Sequence, residues 1–269
     1  MQESGTRLAG KVAVVTGAGI RSSVDGTGQA IAILFARHGG KVLVADRSEE
    51  NAHKTLEVIE AEGGEASVFV ADVTQNGDCK DMVKAAVARY GALHVLVNNV
   101  GIGGGGSAVE VSEEDWDRVL DVNLKSMMLT SKHAIPKMIE GGGGAIVNLA
   151  SINGVRAGWI PDVHYSAAKG GVVAMTQNMA VHHGRDNIRV NAIAPGHLYG
   201  SIVHHISDEQ RALRRKTSPL GTEGTAWDVA WAALFLASDE ARWISGVVLP
   251  VDAGVLAATP LSMMPYLDR

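Results

Sequence analysis

Residues 11–32 read KVAVVTGAGIRSSVDGTGQAIA, an apolar run that leads into a loop with several glycines. An apolar, β-branched run ends at Gly17, and Gly26 and Gly28 then open a stretch with helical character. Glycines at such a junction let the backbone approach a pyrophosphate, whose charge the N-terminus of a helix stabilises. However, eight residues separate Gly17 from Gly26, a spacing that fits no common fingerprint. The stretch therefore predicts a strand–loop–helix unit, and by itself it is weak support for a nucleotide site.

Further apolar runs follow along the chain, and they are nearly continuous in Val, Ile, Leu and Ala. Such runs are typical of strands buried on both faces of a parallel sheet. The predicted strands are 11–17, 41–46, 66–72, 93–99, 145–151, 188–195 and 246–252. Amphipathic segments such as 49–62 and 76–90 alternate with them and end at glycines. The alternation predicts one doubly wound, Rossmann-type α/β domain over residues 1–269, with a seven-stranded parallel sheet and helices on both faces.

Composition narrows the class of protein. The chain has 269 residues, of which 46% are hydrophobic and 20% charged, with a formal net charge of −5 and no long basic run. Nucleic acid and anionic membranes are therefore not expected partners. The single cysteine, Cys79, excludes an internal disulfide and fits a reducing compartment. Residues 1–10 lack a signal or transit pattern, and no apolar run approaches membrane-spanning length, so we expect a cytoplasmic protein.

The stretch 196–225 contains no clear strand. A long connection near the carboxyl ends of parallel strands is usually a binding lid. Its apolar residues Leu198, Tyr199, Ile202, Val203 and Ile206 suggest an apolar wall, and His197, His204 and His205 add polar groups. These histidines have neither a strand scaffold nor acidic partners at metal-ligand spacing, so no metal is expected.

Polar side chains follow several strands, at the edge of the sheet where ligands of such folds bind. Asp46 ends the second predicted strand, where a carboxylate accepts the ribose hydroxyls of an adenosine and repels a 2′-phosphate. Arg47 follows directly, and its positive charge would favour a 2′-phosphate. Asp72 and the segment 98–101 extend the same line after the third and fourth strands.

Chemistry is carried by YSAAK, residues 165–169, which follows a strand-end serine, Ser151. Tyr165 and Lys169 are four residues apart and share one helix face. An ammonium beside a phenol favours phenolate, so we expect a lowered pKa for Tyr165 and proton exchange with an alcohol oxygen. Ser151 is placed to hydrogen-bond that same oxygen.

Together these motifs resemble the classical short-chain dehydrogenase/reductase family over residues 8–254. The matching segments are TG…GTG in the first loop, AD at 45–46, DV at 72–73, NNVG at 98–101, DVNLKS at 121–126, NLAS at 148–151, YSAAK at 165–169, RVNAIAPG at 189–196 and VDAG at 251–254. No single motif is specific for the family, but their joint occurrence in this order is specific.

The resemblance implies roles for particular residues. Tyr165 would be the catalytic acid/base, and Ser151 would hold the substrate oxygen. Lys169 would bind the nicotinamide ribose and lower the tyrosine pKa, and Asn123 would order a water of a proton relay. Implied cofactor contacts are Gly17, Ser22, Ser23, Gly26, Gly28, Asp46, Asp72, Val73, Asn99, Gly101, Tyr165, Lys169, Pro195 and Gly196. Substrate contacts are expected from Asn153, Trp159, His197 and Tyr199.

The implied activity is interconversion of a secondary alcohol and a ketone with NAD(H) as cofactor. The negative charges of Asp46 and of Asp25, just before Gly26, oppose the 2′-phosphate of NADP(H). The positive charges of Arg21 and Arg47 favour it. We expect the Asp46 contact to dominate. The family position that usually carries a threonine after Pro195 is Gly200, with Ser201 next. The resemblance further implies a small-molecule substrate and a homotetramer built through helices at 112–140 and 164–184. The tail 258–269 either docks on a neighbouring subunit or frays.

Two alternatives remain open. The first is an enoyl reductase of the same superfamily, which reduces a C=C bond. Such enzymes have a similarly long first loop, with a serine six residues after the first glycine, and Ser23 lies six residues after Gly17 here. Their tyrosine and lysine are separated by six residues, however, and no such pair includes Tyr165 or Lys169. The second alternative is a non-catalytic nucleotide-binding scaffold, which the presence of Ser151, Tyr165 and Lys169 disfavours.

Overall fold

The apolar runs form a single parallel sheet in the computed structural model, which describes residues 5–201, 203 and 205–267. The strands are β1 (Val12–Thr16), β2 (Lys41–Asp46), β3 (Glu65–Val70), β4 (Val95–Asn98), β5 (Gly144–Leu149), β6 (Ile188–Pro195) and β7 (Val248–Val251). Their order is β3-β2-β1-β4-β5-β6-β7, and every neighbouring pair is parallel. The order reverses between β1 and β4, where folds of this type bind ligands. The predicted doubly wound, seven-stranded fold is confirmed.

Helices connect the strands on both sides of the sheet. Within the described residues they are α1 (Thr27–Arg37), α2 (Glu49–Ala61), α3 (Asn76–Tyr90), α4 (Glu113–Leu120), α5 (Ser126–Glu140), α6 (Val163–His182), α7 (Asp208–Lys216), α8 (Ala226–Ala237) and α9 (Pro260–Leu267). A π-helical turn, Asp121–Lys125, joins α4 to α5 without a break. The helices predicted at 49–62 and 76–90 therefore exist with nearly the expected ends.

Side chains of each strand alternate between two cores, which explains why the strands are apolar throughout. In β1, Ala13 and Val15 face a core built with α1, α2 and α8. Val14, between them, faces the opposite core, built with α3, α5 and the end of α6. Both faces of the sheet are thus covered, and its polar strand ends point to the rim.

The connection 196–225 folds over the carboxyl ends of the strands and contains α7. The buried carboxylate of Glu223 anchors this helix by accepting from Arg211 at 2.9 Å and pairing with Arg214 at 3.1 Å. Arg214 also donates to the carbonyl of Leu198 at 2.7 Å, which ties the two ends of the segment together. Ile202 and His204, two of the residues expected in this lid, lie outside the described residues.

The tail ends in α9, which contacts the lid of its own chain. The ammonium of Lys216, at the end of α7, donates to the carbonyl of Leu267 at 3.2 Å. Between residues 5 and 267, as far as the structure describes them, no helix combines the length and the apolar character needed to cross a membrane.

Candidate active site

A cleft of about 1070 Å³ opens between the carboxyl ends of the strands and the lid. It brings together residues from distant parts of the chain that the sequence singled out. Those lining it are Asn99, Gly101, Ser151, Asn153, Trp159, Tyr165, Lys169, Pro195, Gly196 and His197. The predicted catalytic residues Ser151, Tyr165 and Lys169 therefore share one cavity with part of the predicted cofactor and substrate sets.

Tyr165 and Lys169 lie one turn apart on α6, as the spacing predicts. The Lys169 ammonium is 5.7 Å from the centroid of the Tyr165 ring. It donates to the carbonyl of Leu149, the last residue of β5, at 2.7 Å. The lysine is almost completely buried, and desolvation lowers its pKa to about 8. The buried cation is thus held beneath the phenol by a strand-end carbonyl.

The pKa of Tyr165 departs from the sequence-based expectation. Burial raises it above the ordinary tyrosine value, and hydrogen bonding with Ser151 opposes that shift. The negative charge of Asp162 raises the pKa further. The expectation that Lys169 brings this pKa towards neutrality is therefore wrong for this arrangement. Desolvation disfavours the phenolate more strongly than its surroundings stabilise it.

Ser151 follows β5 in extended conformation, with φ −165° and ψ 158°. Its hydroxyl oxygen accepts from the backbone N–H of Asn153 at 3.1 Å and so caps the short turn Ile152–Gly154. This bond fixes the side chain at the strand end, where it and Tyr165 face the same cavity.

Asn123 lies in the π-helical turn and is fully buried. Its side-chain oxygen accepts from the backbone N–H of Ile102 at 2.8 Å, and its amide donates to the carbonyl of Ile102 at 2.9 Å. A Cβ at Gly101 would lie 2.9 Å from this oxygen and 3.4 Å from the Lys169 ammonium. Asn123 therefore holds the backbone beside Gly101 against Lys169. Its implied contact with a relay water stays a prediction.

The first glycine loop forms a cradle that fits the close approach of a dinucleotide backbone. Gly17 has φ +63°, a left-handed conformation that favours glycine. A Cβ at Gly28 would overlap the carbonyl of Gly17, so α1 begins directly against the strand end. Asn99 fixes this junction by donating to the carbonyls of Thr16 and Gly17 at 3.0 and 3.1 Å. The glycines, together with the free N–H groups of the first turn of α1, are the donor set that a pyrophosphate requires.

The segment between Gly17 and Gly26 turns towards β2 and α2. The buried carboxylate of Asp46 accepts from the backbone of Gly19 at 3.0 Å and from Ser48 at 3.1 Å. The exposed guanidinium of Arg21 lies 3.3 Å from the same carboxylate. Both oxygens of Asp46 therefore have donors within the protein already. No sequence pattern indicates this cover over Asp46.

The predicted cofactor contacts of Ser22 and Ser23, the hydroxyl residues of this segment, stay predictions. Ser22 donates to the carbonyl of Val24 at 2.9 Å, and Ser23 is exposed. Asp25 does line the cleft, and its carboxylate accepts from Gln29 and from the indole of Trp227, both at 2.8 Å. The arrangement anchors the loop to α1 and α8.

Asp72 and Val73 lie after β3 and are not among the described residues that line the cleft. The Asp72 carboxylate accepts from the backbone and the hydroxyl of Thr74, at 3.0 and 2.8 Å. Val73 is buried against Cys79, whose pKa burial raises to about 11. The thiol is thus a packed, protonated group, as expected, and the adenine contact of Asp72 stays a prediction.

The expected substrate residues divide into two groups. Asn153, Trp159 and His197 line the cleft, and burial lowers the pKa of His197. Tyr199 does not line it among the described residues, because its ring packs 3.7 Å from the guanidinium of Arg211. The ring thus supports α7, and the substrate contact of Tyr199 stays a prediction.

The pairing of Asp162 with His164 at the start of α6 is not predicted from the sequence. The Asp162 carboxylate lies 3.0 Å from Nδ1 of His164 and lines the cleft. Its position three residues before Tyr165, at the N-cap of α6, was the available signal. For metals, the described residues contain no group of three or more His, Cys, Asp or Glu side chains that could hold an ion.

This fold and this cleft define a nucleotide-binding oxidoreductase of the doubly wound class, and comparison with known proteins agrees. Residues 21–256 match the family model described as Enoyl-(Acyl carrier protein) reductase. The 3-oxoacyl-acyl-carrier-protein reductase of Thermotoga maritima is 37% identical over 93% of this chain and 99% of its own length. The chain belongs to the classical short-chain dehydrogenase/reductase family.

Solved structures give the same result. A short-chain dehydrogenase/reductase from Burkholderia xenovorans superposes with a TM-score of 0.91 at 40% identity, covering 94% of this chain and 99% of the other. Carveol dehydrogenase from Mycobacterium avium, solved in complex with NAD, gives a TM-score of 0.87 at 29% identity, covering 94% and 100%.

Proposed function

We propose that this oxidoreductase interconverts a secondary alcohol and a ketone, with NAD(H) as the hydride carrier. The observation that carries the proposal is the convergence of Ser151, Tyr165 and a buried Lys169 on one cleft. Two of the named relatives, a 3-oxoacyl reductase and carveol dehydrogenase, have names that describe chemistry at an alcohol or carbonyl carbon. A bound nicotinamide would supply or accept the hydride.

The chain's own residues would handle the substrate oxygen. Ser151 holds that oxygen by a hydrogen bond, and Tyr165 donates a proton to it or accepts one from it. The Lys169 ammonium stabilises the phenolate that remains after donation, although the pKa of the free phenol is raised. Asn123 positions the backbone beside Gly101 and so fixes the wall on which Lys169 lies.

The cofactor would lie across the glycine cradle, with Gly17, Gly26, Gly28, Asn99 and Gly101 along its path. Asp46 is the residue proposed to favour NAD(H), because a buried carboxylate at the end of β2 opposes a 2′-phosphate. Asp72, Val73, Pro195 and Gly196 are proposed as further contacts at the adenine and nicotinamide ends. The NAD complex of carveol dehydrogenase supports this choice by similarity alone.

Reduction of a C=C bond is the second candidate, and the description of the matching family model favours it. The spacing of Tyr165 and Lys169 opposes it, because the lysine four residues after the tyrosine is the residue buried beneath the phenol. We therefore place alcohol and ketone chemistry first.

The test is a panel of secondary alcohols with NAD and of ketones with NADH, together with enoyl thioesters, followed by absorbance of the reduced nicotinamide. Turnover of at least one alcohol–ketone pair and not of the enoyl compounds is the expected result. Turnover of enoyl compounds alone would move the assignment to the second candidate. Binding of NADH without turnover of any compound would favour a scaffold.

We further propose a cytoplasmic homotetramer assembled through the helices at 112–140 and 164–184. Exposed apolar side chains on α5 and α6, including Met128, Ile139 and Val181, support an interface there. Light scattering after size-exclusion chromatography tests the subunit number, and a monomer at micromolar concentration would contradict it.

A further inference from the structure

The cleft contains a carboxylate that the proposed mechanism does not use. Asp162 precedes α6 as its N-cap and stands three residues before Tyr165. The charge of Asp162 acts on Tyr165, because it raises the pKa of the phenol. Both residues line the same cleft, in which Tyr165 would exchange its proton.

Asp162 is held rigidly and is almost removed from solvent. Only 9% of its side chain is exposed, and 2% of that of His164, whose Nδ1 lies 3.0 Å from the carboxylate. The backbone N–H of Gly106 donates to Pro161 at 2.9 Å, which joins the loop after β4 to the residue before Asp162. His164 packs against Gly104 of the same loop so closely that a Cβ there would overlap its ring. The carboxylate is therefore fixed from two sides.

The remaining charges of the cleft are engaged elsewhere. Arg156 donates to the carbonyls of Val255 and Ala258 at 3.0 and 3.1 Å. The Lys169 ammonium donates to Leu149. Within the described part of the chain, the ion pair of Asp162 is with His164. The backbone N–H of Tyr165 also hydrogen-bonds to this carboxylate. A carboxylate with two oxygens offers about four acceptor positions, so these two donors leave acceptor capacity for a ligand in the cleft.

A buried acceptor without enough donors costs free energy, which a bound ligand regains by donating to it. A hydroxyl group does so, whereas a carbonyl, an ester or a thioester oxygen offers only lone pairs and is repelled. We propose that Asp162 determines specificity for substrates carrying a second hydroxyl near the reacting carbon, namely diols and hydroxyketones. This inference rests on the proposed alcohol–ketone activity.

A purely structural role for Asp162, as the cap of α6, predicts something different. Asn caps helices as well as Asp does, so Asp162→Asn preserves the cap and the shape while it removes the charge and half of the acceptor capacity. Its effect on the Tyr165 proton transfer is common to all substrates. The ratio of kcat/KM for a diol to that for the matched mono-alcohol therefore isolates the proposed contact.

The experiment measures this ratio with NAD for matched pairs: cyclohexane-1,2-diol with cyclohexanol, and butane-2,3-diol with 2-butanol. The native enzyme is expected to prefer the diols by roughly tenfold or more, the scale of one hydrogen bond to a charged group. Asp162→Asn should reduce that preference at least about tenfold. Asp162→Ser, another good cap, is the second variant should the first fold poorly, which a thermal melt detects.

Asp25→Asn is the matched control, because Asp25 also lines the cleft but its two oxygens accept from Gln29 and Trp227. It should leave the diol preference unchanged. Equal rates for diols and mono-alcohols in the native enzyme overturn the inference while the proposed function stands. If both Asp162 variants retain the diol preference, other residues cause that preference and the inference is overturned. Failure to turn over any member of the pairs, with every alcohol and ketone of the panel also inert, overturns the proposed function and this inference with it.

Discussion

Arg21 and Asp46 form an ion pair of 3.3 Å in which the carboxylate is buried and the guanidinium is largely exposed. The pair joins the unusually long glycine loop to the end of β2, where a nucleotide ribose would lie. Gly19 and Ser48 donate to the same carboxylate. The charge on which cofactor choice is proposed to depend is thus partly neutralised by the loop itself.

Removal of that counter-charge should sharpen the choice of cofactor. We expect Arg21→Ala to increase the preference for NAD(H) over NADP(H) by roughly two- to fivefold, the scale of a partly exposed ion pair. Fluorescence titrations with NADH and NADPH measure the two dissociation constants directly. Lys84→Ala is the control and should leave the preference unchanged, because Lys84 is an exposed cation on α3 that pairs with Asp81 at 3.6 Å. A shift towards NADP(H) in Arg21→Ala would contradict the role given to Asp46.

Tyr165→Phe removes only the hydroxyl that is proposed to exchange a proton. We expect kcat to fall by at least roughly a hundredfold, the usual contribution of general acid–base catalysis, while the affinity for NADH is retained. Stopped-flow absorbance and NADH titration separate the two quantities. Near-native turnover would show that another group performs the proton transfer.

Burial of the charged Lys169 side chain should lower the free energy of unfolding of the protein. Its pKa of about 8 in the folded protein lies below the ordinary value of 10.5, so the unfolded chain binds more protons between those values. The cost of the buried charge is fully present below about pH 8 and disappears as the pH rises through 8 to 10.5. This amounts to at most about 3 kcal/mol.

Lys169→Met should therefore raise the free energy of unfolding at pH 7 by about 2 kcal/mol, after allowance of about 1 kcal/mol for the donor that Leu149 loses. The gain should shrink towards pH 10, and turnover should be lost. Urea denaturation at pH 7 and pH 10 checks both signs. A loss of stability at pH 7 would mean that the bond to Leu149 outweighs desolvation.

A substitution at Gly101 tests whether the backbone between Asn123 and Lys169 must keep its position. A Cβ at this position would lie 2.9 Å from the Asn123 side-chain oxygen, so Gly101→Ala must displace that side chain or the loop. We expect kcat to fall roughly tenfold or more, because small displacements in such sites are costly. Gly105→Ala is the control, since nothing lies within 4 Å of a Cβ there. If Gly101→Ala and Gly105→Ala have equal kcat values, the positioning role given to Asn123 is contradicted.

His38 should make the fold sensitive to acid. Its ring is buried edge-on against Trp231, 5.6 Å between centroids, and neither nitrogen has a hydrogen-bond partner among the described residues. Burial first, and the charge of Arg7 second, lower its pKa. The unfolded chain therefore binds a proton that the folded protein does not, and stability falls as the pH drops below about 6.5.

His38→Phe should keep the ring contact with Trp231 and remove this dependence. We expect its melting temperature to exceed that of the native protein at pH 5 by more than it does at pH 8. Differential scanning fluorimetry at the two values measures the difference. A constant offset at both would place the acid sensitivity in other groups.

The sheet and most of its polar edge follow from local patterns in the sequence. Seven apolar runs without alternation require burial on both faces, and that requirement leaves few arrangements other than a parallel sheet covered by helices. The spacing of Tyr165 and Lys169 likewise determined that they share a helix face, because helical geometry is local. The strand-end position of Ser151 then placed it at the same rim.

The partners of the charged groups depend instead on the tertiary structure. The cover of Asp46 by Arg21, the anchoring of Asp25 by Trp227 and the pairing of Asp162 with His164 depend on how loops fold against one another. The same holds for Tyr199, which packs on Arg211 and not in the cleft. The pKa of Tyr165 shows the reason. A pattern of neighbours along a helix predicts an attraction, whereas desolvation depends on everything packed around the group, which no local pattern contains.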